Sequence, residues 1–198
     1  MTDLIPDESH PLARWVNRLF HPFVVALPTS VVLLQDVPWD HALGWMAVLF
    51  GMLLPPLILT TLWLKRRNRF AYQRHARAPI YGVFILSVLV CLGVLVALDA
   101  PRILIACLVA LLIWTPGQLL MNTFITKISI HTAVLAGCLS AVWVSGKLDH
   151  PSLLLGATTA LGLTVWARIV TKHHTLPQVM LGVLVGMLPV LLVFPVLL

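Results

Sequence analysis

Two short stretches of the chain carry polar side chains of the types that bind and attack phosphate. The first, TKISIHTAVLAG, contains Ser129 and His131. The second, WARIVTKHHTLPQVMLG, contains Arg168, Lys172, His173, His174 and Gln178. Arginine makes bidentate contacts to phosphate oxygens, one imidazole can serve as nucleophile, and a second can serve as general acid. The two stretches together therefore predict a phosphate-binding site.

The second stretch also has the local features of a helix N-terminus. Pro177 suits the first turn of a helix, and Thr175 just ahead of it is a candidate cap. His174 is then expected just outside that N-terminus, where free N–H groups and the helix dipole favour an anion. Because His174 and Gln178 are four residues apart, they share one side of a helical turn. The amide can then hold the imidazole by one ring nitrogen and select its tautomer.

These residues resemble two signatures of the phosphatidic acid phosphatase type 2 superfamily. Arg168, five residues, His174, three residues and Gln178 resemble the third signature, which is Ser-Arg, five residues, His, three residues, Asp. The segment ISIHT at 128–132 resembles the second signature, Pro-Ser-Gly-His, with Ser129 and His131 in register. The resemblance covers the second half of the chain.

The resemblance implies an α-helical membrane phosphatase acting on a lipid phosphate or diphosphate, of the phosphatidate or polyprenyl phosphate type. It implies that His174 attacks phosphorus to form a phosphohistidine, that His131 protonates the leaving alcohol, and that Gln178 supports the nucleophile. No metal or other cofactor is required in that scheme. The groups expected to bind the phosphoryl oxygens are Arg168, Ser129, Lys127 and, from the basic run after the second span, Arg69, Arg74 and Arg77.

The chain also departs from the family pattern. Gln178 stands in place of the Asp of the third signature, and Ile128 and Ile130 replace the Pro and Gly of the second. The first signature (Lys, six residues, Arg-Pro) is not intact. The amide at Gln178 favours an alternative function, a non-catalytic relative that binds or carries anionic lipids in the same pocket. The presence of both His131 and His174 favours the enzyme.

Composition places these residues in a membrane protein. The chain has 198 residues, of which 60% are hydrophobic and 10% are charged, and its mean hydropathy is +0.98. An ordinary soluble domain has about a quarter charged residues, so this chain lacks the polar residues needed to cover a water-exposed surface. The same composition excludes a disordered chain. Three cysteines, all inside apolar runs, exclude a disulfide scaffold.

A spanning helix needs about 20 mostly apolar residues, and the chain contains seven candidate segments. They are residues 19–35, 42–64, 79–98, 103–125, 131–145, 152–167 and 179–198. Because strict alternation is absent and only helices then satisfy the backbone in lipid, we expect an all-α integral membrane bundle of about six to seven transmembrane helices. It is predicted to be one membrane-embedded domain, 1–198, with a polar N-terminal segment at 1–18.

Loop charges predict the orientation. With the spans numbered in order, all but two of the 13 Lys and Arg residues lie at the N-terminal segment or in the loops on its side. By the positive-inside rule that side, which holds both polar stretches, should be cytoplasmic. We therefore expect an integral protein of a bacterial inner membrane, with its site facing the cytoplasm.

The expected partners are a lipid phosphate substrate and membrane lipids rather than nucleic acid, because the basic residues lie between spans and suit phosphate headgroups. Gly182 and Gly186 form a GxxxG pair in the last span, which allows close helix packing inside the bundle or between subunits. A homodimer through this pair is one expectation. The remaining histidines, His21 among them, are interpreted as interfacial residues without a part in the site.

Overall fold

The computed structural model describes residues 9–67 and 77–198, which form eight α-helices and one π-helical turn. The helices are α1 Pro11–Leu19, α2 Pro22–Leu33, α3 Trp39–Arg66, α4 Arg77–Ala97, α5 Arg102–Leu120, α6 Ile130–Val144, α7 Pro151–Val170 and α8 Leu176–Leu197. The π-helical turn, Met121–Ile125, follows α5 directly. The all-α fold class predicted from the sequence is confirmed.

Five helices are long and apolar enough to cross a membrane, and they are α3, α4, α5, α7 and α8. The bent pair of α1 and α2 brings the number to six when it is counted as one span. The fifth predicted span, the short segment 131–145, corresponds to α6, which also has 15 residues. At 1.5 Å per residue it is about 22 Å long, less than the roughly 30 Å of a bilayer's hydrocarbon core. The protein is an integral membrane helical bundle with five or six such spans among the described residues.

The first predicted span is wrong in its form. Residues 19–35 contain one helix, α2, of only 12 residues, and the segment predicted as the polar N-terminus contains another, α1. The two helices meet at a bend of 45°. Pro22 begins α2, and because a proline disfavours helical backbone at the residue before it and supplies no N–H, the helix is interrupted at His21. The break puts the His21 side chain at a helix start instead of on a continuous apolar span.

The chain divides into two compact units, and the first consists of Met1–Leu33 and Lys127–Leu192. In this unit α1 packs on α7, α2 packs on α6, and α6 packs on α7. Ala13 and Val16 of α1 are buried together with Ala167 of α7. Both polar stretches singled out above belong to this unit.

The second unit consists of Leu34–Thr126 and Val193–Leu198. Here α4 packs between α3 and α5 around an apolar core. A polar contact joins the π-helical turn to α4, since the Asn122 amide Nδ2 donates to the Tyr81 hydroxyl at 3.1 Å. The same amide donates to the Gln118 carbonyl at 2.8 Å. Asn122 lies in the π-helical turn, where the wider winding changes the direction of its side chain.

Candidate functional site

The first element of the site is the N-terminus of α6. Ser129 is fully buried and caps this helix, because its Oγ accepts a hydrogen bond from the backbone N–H of Thr132 at 3.4 Å. A serine at this position satisfies one of the N–H groups that a helix start leaves without an intrahelical partner. His131 follows on the first turn and is half-buried. The cap therefore determines where the imidazole leaves the helix.

The second element is the turn that begins α8. His174 is 3% exposed, and its Nδ1 lies 3.3 Å from both the Lys127 carbonyl oxygen and the Gln178 Oε1. Since both of these oxygens are acceptors, Nδ1 carries the proton and donates, and Nε2 is left with its lone pair in the neutral ring. The contact with Gln178 is the one that the four-residue spacing predicts.

Gln178 has a second partner that identifies its amide oxygen. The backbone N–H of Thr175 donates to Oε1 at 3.1 Å. This is the reach-back half of a capping box, in which the side chain at the third helical position satisfies the N–H of the cap residue. The same oxygen therefore caps the N-terminus of α8 and orients the imidazole of His174.

The third element is the C-terminal turn of α7. The backbone N–H groups of His173 and His174 both donate to the Arg168 carbonyl at 3.2 Å. Lys172 adopts a left-handed backbone conformation with φ of 53°, which reverses the chain sharply after α7. Arg168, at 8% exposed, is thereby joined through its main chain to the residue that carries the buried imidazole.

Close packing of α6 against α8 brings the first two elements together. The Ser129 N–H donates to the Gln178 carbonyl at 3.3 Å, and the Thr132 hydroxyl lies 3.2 Å from the Val179 carbonyl. A Cβ on Gly182 would lie 2.7 Å from the Ser129 carbonyl oxygen, closer than any ordinary contact. Only a residue without a Cβ permits this approach.

Gly186 has the same role one turn further along α8, where a Cβ would lie 2.7 Å from the Ala133 carbonyl carbon. The GxxxG pair thus packs inside the bundle, which is the first of the two arrangements that its spacing allows. The homodimer predicted through Gly182 and Gly186 is corrected on this point, because α6 of the same chain already covers that face of α8.

The site also contains a histidine that sequence reasoning missed. The rings of His21 and His131 are 5.3 Å apart, centroid to centroid, and perpendicular. Arg168 interacts electrostatically with both rings, and His174 interacts in the same way with His131. The one signal for His21 in the sequence is the proline that follows it, since His-Pro marks a helix start on the basic side of the chain.

The predicted site residues have the following places. The structure brings Ser129, His131, Arg168, His174 and Gln178 to one end of the first unit, together with the main chain of Lys127. Arg77 begins α4 in the second unit. Arg69 and Arg74 lie outside the described residues. Within the ranges 9–67 and 77–198, no three His, Cys, Asp or Glu side chains are grouped so as to hold a metal ion.

The arrangement suits an anion held at the ends of helices. The helices α2, α6 and α8 all begin beside this cluster, and the positive ends of their dipoles favour negative charge there. A guanidinium and the imidazoles of His21 and His131 can supply further donors. The Nε2 lone pair of His174 is a candidate nucleophile, and His131 is a candidate proton donor.

An apolar cleft lies further along the same helices. It has a volume of about 170 Å³ and is lined by residues of α6, α7 and α8, among them Ala136, Leu139, Leu161 and Met187. Ala136 is five residues after His131, which is about 7.5 Å along the helix. Leu161 of the cleft and Arg168 of the cluster are seven residues apart and share one face of α7, so the cluster and the cleft follow one another along α7.

Comparison with known proteins adds no relative to this description: no protein-family model, no curated protein and no solved structure matches the chain.

Proposed function

We propose that the protein is a membrane lipid-phosphate phosphatase of the phosphatidic acid phosphatase type 2 kind, acting through a phosphohistidine. One observation carries the proposal. Ser129, His131, Arg168 and His174, which match the second and third signatures of that superfamily, lie at one end of one unit, at the starts of α6 and α8 and the end of α7.

In the proposed reaction, the His174 Nε2 attacks phosphorus while its Nδ1–H is held by Gln178 and by the Lys127 carbonyl. The bond from phosphorus to the bridging oxygen breaks, and that oxygen takes a proton from His131. Water then attacks the phosphohistidine with His131 as the base, which releases inorganic phosphate and restores both rings. Arg168 and the helix N-termini stabilise the charge on the phosphoryl oxygens, which is usually the largest catalytic contribution.

Further basic residues complete the proposal. Lys127 is proposed to add an ammonium group next to the phosphate. The candidates for the contacts that the first signature makes in the superfamily are Arg69 and Arg74, in the basic run after α3, and Arg77, the first residue of α4.

The apolar cleft supports a lipid as the substrate. A phosphate bound beside Arg168 has apolar wall available from Leu161 toward Leu154, so one hydrocarbon chain can follow α7 while its phosphate stays at the helix ends. Ala136 and Met187 contribute no hydrogen-bonding side chain, which suits an acyl or isoprenoid tail better than a polar group.

A second candidate function is a non-catalytic protein that binds or carries anionic lipids at the same place. Gln178 favours it, because an amide gives the imidazole no negative charge to stabilise its cationic form. In a serine-protease triad, replacement of the equivalent carboxylate by an amide lowers turnover by about four orders of magnitude.

The deciding experiment measures phosphate release by purified protein in detergent from phosphatidate, a polyprenyl phosphate and a polyprenyl diphosphate. We expect release from at least one of them, abolished in His174→Ala and unchanged in His10→Ala. His10 is a suitable control because it is exposed and its side chain makes no capping hydrogen bond. Binding of all three lipids without any release would reject the enzyme in favour of the carrier.

Gln178→Asp separates two explanations of the amide within the enzyme. A rise in activity would mean that the amide lowers the rate of a working enzyme. A loss of activity would mean that the reach of the longer side chain to His174 and Thr175 is required.

We also propose that the protein lies in a bacterial inner membrane with the site facing the cytoplasm. Single cysteines at Lys172, on the site side of α7, and at Asp149, before its other end, report the orientation, because both residues are exposed. Labelling of intact cells by a membrane-impermeant maleimide should modify Asp149→Cys and spare Lys172→Cys. The reverse pattern would place the site on the outside.

A further inference from the structure

A third imidazole, that of His21, belongs to the same cluster, although none of the matched signatures includes it. His21 occupies the break between α1 and α2, and its ring stands perpendicular to that of His131 at 5.3 Å. It also interacts electrostatically with Arg168. Its position is therefore beside the proposed proton donor, on a different helix from the proposed nucleophile.

The tautomer of His21 follows from its local contact. The backbone N–H of Phe23 donates to the His21 Nδ1 at 3.4 Å, so Nδ1 is an acceptor and the proton of the neutral ring is on Nε2. The backbone N–H groups of Val24 and Val25 donate to the His21 carbonyl oxygen. His21 thus caps α2, and its Nε2–H is on the ring nitrogen that the cap does not use.

The position of His21 beside the proposed proton donor, His131, indicates what kind of leaving group the site can stabilise. His131 is proposed to protonate the oxygen that leaves phosphorus, so the leaving group must lie against His131. In a monoester this group is an uncharged alcohol, which gives a second imidazole and a helix N-terminus no negative charge to stabilise. In a diphosphate it is a lipid monophosphate, which carries a charge of about −1.5 to −2 at pH 7.

A leaving phosphate can use the groups that surround His21. The Nε2–H of His21 can donate to one of its oxygens, and the N-terminus of α2 places the positive end of a 12-residue helix at the same point. Such stabilisation acts on charge that develops as the bridging bond breaks, and it therefore lowers the barrier.

We infer that His21 is a specificity-determining residue that binds the lipid-proximal phosphoryl group of a lipid diphosphate. This inference rests on the proposed function. In the reaction, His174 Nε2 bonds to the terminal phosphorus, and the bridging P–O bond breaks with its electron pair on the bridging oxygen. That oxygen takes the proton of His131 and leaves as part of the lipid monophosphate. Water then releases inorganic phosphate from His174.

Two substitutions separate the two roles of the His21 ring, which are the capping of α2 by Nδ1 and the donation of a hydrogen bond by Nε2–H. His21→Asn puts an amide oxygen close to the position of Nδ1, so it keeps an acceptor for the Phe23 N–H and removes the Nε2–H. His21→Gln extends an uncharged donor toward the position of Nε2. His10→Asn is the matched control, because it makes the same exchange at an exposed histidine outside the cluster.

The experiment compares farnesyl diphosphate with farnesyl monophosphate on the purified full chain in detergent, so that the tail is the same in both arms. Titration calorimetry with inorganic pyrophosphate and orthophosphate gives a second readout that needs no turnover. For His21→Asn we expect kcat/KM for the diphosphate to fall about 10- to 100-fold, the range of one lost charge-assisted hydrogen bond. The monophosphate should change less than about 3-fold, His21→Gln should be intermediate, and His10→Asn should match the wild type.

Every other kinetic result either overturns the inference or leaves the decision to the calorimetric binding measurements. Equal losses on both substrates would mean that His21 serves the phosphoryl group common to both, and no loss on either would remove it from the site. If the wild type hydrolyses neither farnesyl substrate, the phosphatase itself is judged separately, by phosphate release from the three lipids named above. Calorimetry then decides: weaker pyrophosphate binding in His21→Asn with unchanged orthophosphate binding upholds the inference, and unchanged or undetectable pyrophosphate binding rejects it.

Discussion

Replacing Gly186 with alanine should separate α6 from α8. A Cβ at this position would lie 2.7 Å from the carbonyl carbon and 2.8 Å from the Cα of Ala133, whereas carbon atoms in contact prefer about 3.5–4.0 Å. Both of these atoms belong to the main chain of α6, so no side-chain rotation relieves the overlap. One helix must move by about 1 Å.

That movement has a cost that can be worked out from the contacts nearby. Forcing an extra methyl group into a packed interior costs about 1–3 kcal/mol. The hydrogen bonds from the Ser129 N–H to the Gln178 carbonyl and from Thr132 Oγ1 to the Val179 carbonyl are 3.3 and 3.2 Å long, so a further 1 Å breaks both. Interhelical hydrogen bonds in membranes contribute about 0.6 kcal/mol each, which gives a total loss of about 2–4 kcal/mol.

The assay is unfolding of the purified protein in mixed micelles by increasing SDS, followed by tryptophan fluorescence. Gly156→Ala is the control, because nothing lies within 4 Å of a Cβ at that position of α7. Both variants gain the same helix propensity, up to about 1 kcal/mol over glycine, so the difference between them isolates the packing. Equal stability of Gly186→Ala and Gly156→Ala would refute the close approach of α6 and α8.

Three further substitutions test single contacts by the same unfolding measurement. Ser129→Ala removes the α6 cap and should cost about 1 kcal/mol, while Ser129→Asn, which keeps an acceptor, should recover part of that loss. Thr132→Val keeps the shape of the side chain and removes its bond to Val179; we expect a loss of about 0.6 kcal/mol, and no loss at all would mean that this bond is absent in the membrane. Tyr81→Phe removes the hydroxyl that accepts from Asn122, and a comparable decrease is expected, with Tyr81→Leu as the larger change that also empties part of the core.

Much of the fold follows from features that act over short stretches of chain. Length and apolar content are sufficient to find α3, α4, α5 and α8, because a helix of this kind is determined by its own residues and by lipid. The orientation of Gln178 toward His174 is predictable for the same reason, since the two residues are one helical turn apart. Ser129 as a helix cap is the kind of local signal that a sequence retains.

The parts that could not be predicted depend on residues distant in the chain. The break at His21 requires knowing that the segment before Pro22 forms a helix of its own, and nothing local places its ring against His131. The partner of the GxxxG pair was equally open, because a small-residue face fits a helix of the same chain or of another. The contact of His174 with the Lys127 carbonyl joins residues 47 positions apart. Every residue has a main-chain carbonyl, so the sequence does not indicate which carbonyl accepts from His174.

That peptide oxygen has a consequence for how the site can change over time. A carbonyl of the main chain persists whatever amino acid is encoded at position 127, so mutation there cannot erase the acceptor that aims the imidazole of His174. Gln178 is therefore not the sole acceptor that orients the His174 ring. A chain with an acid at this position could exchange it for an amide and lose the negative charge, while the Lys127 carbonyl continued to orient the ring.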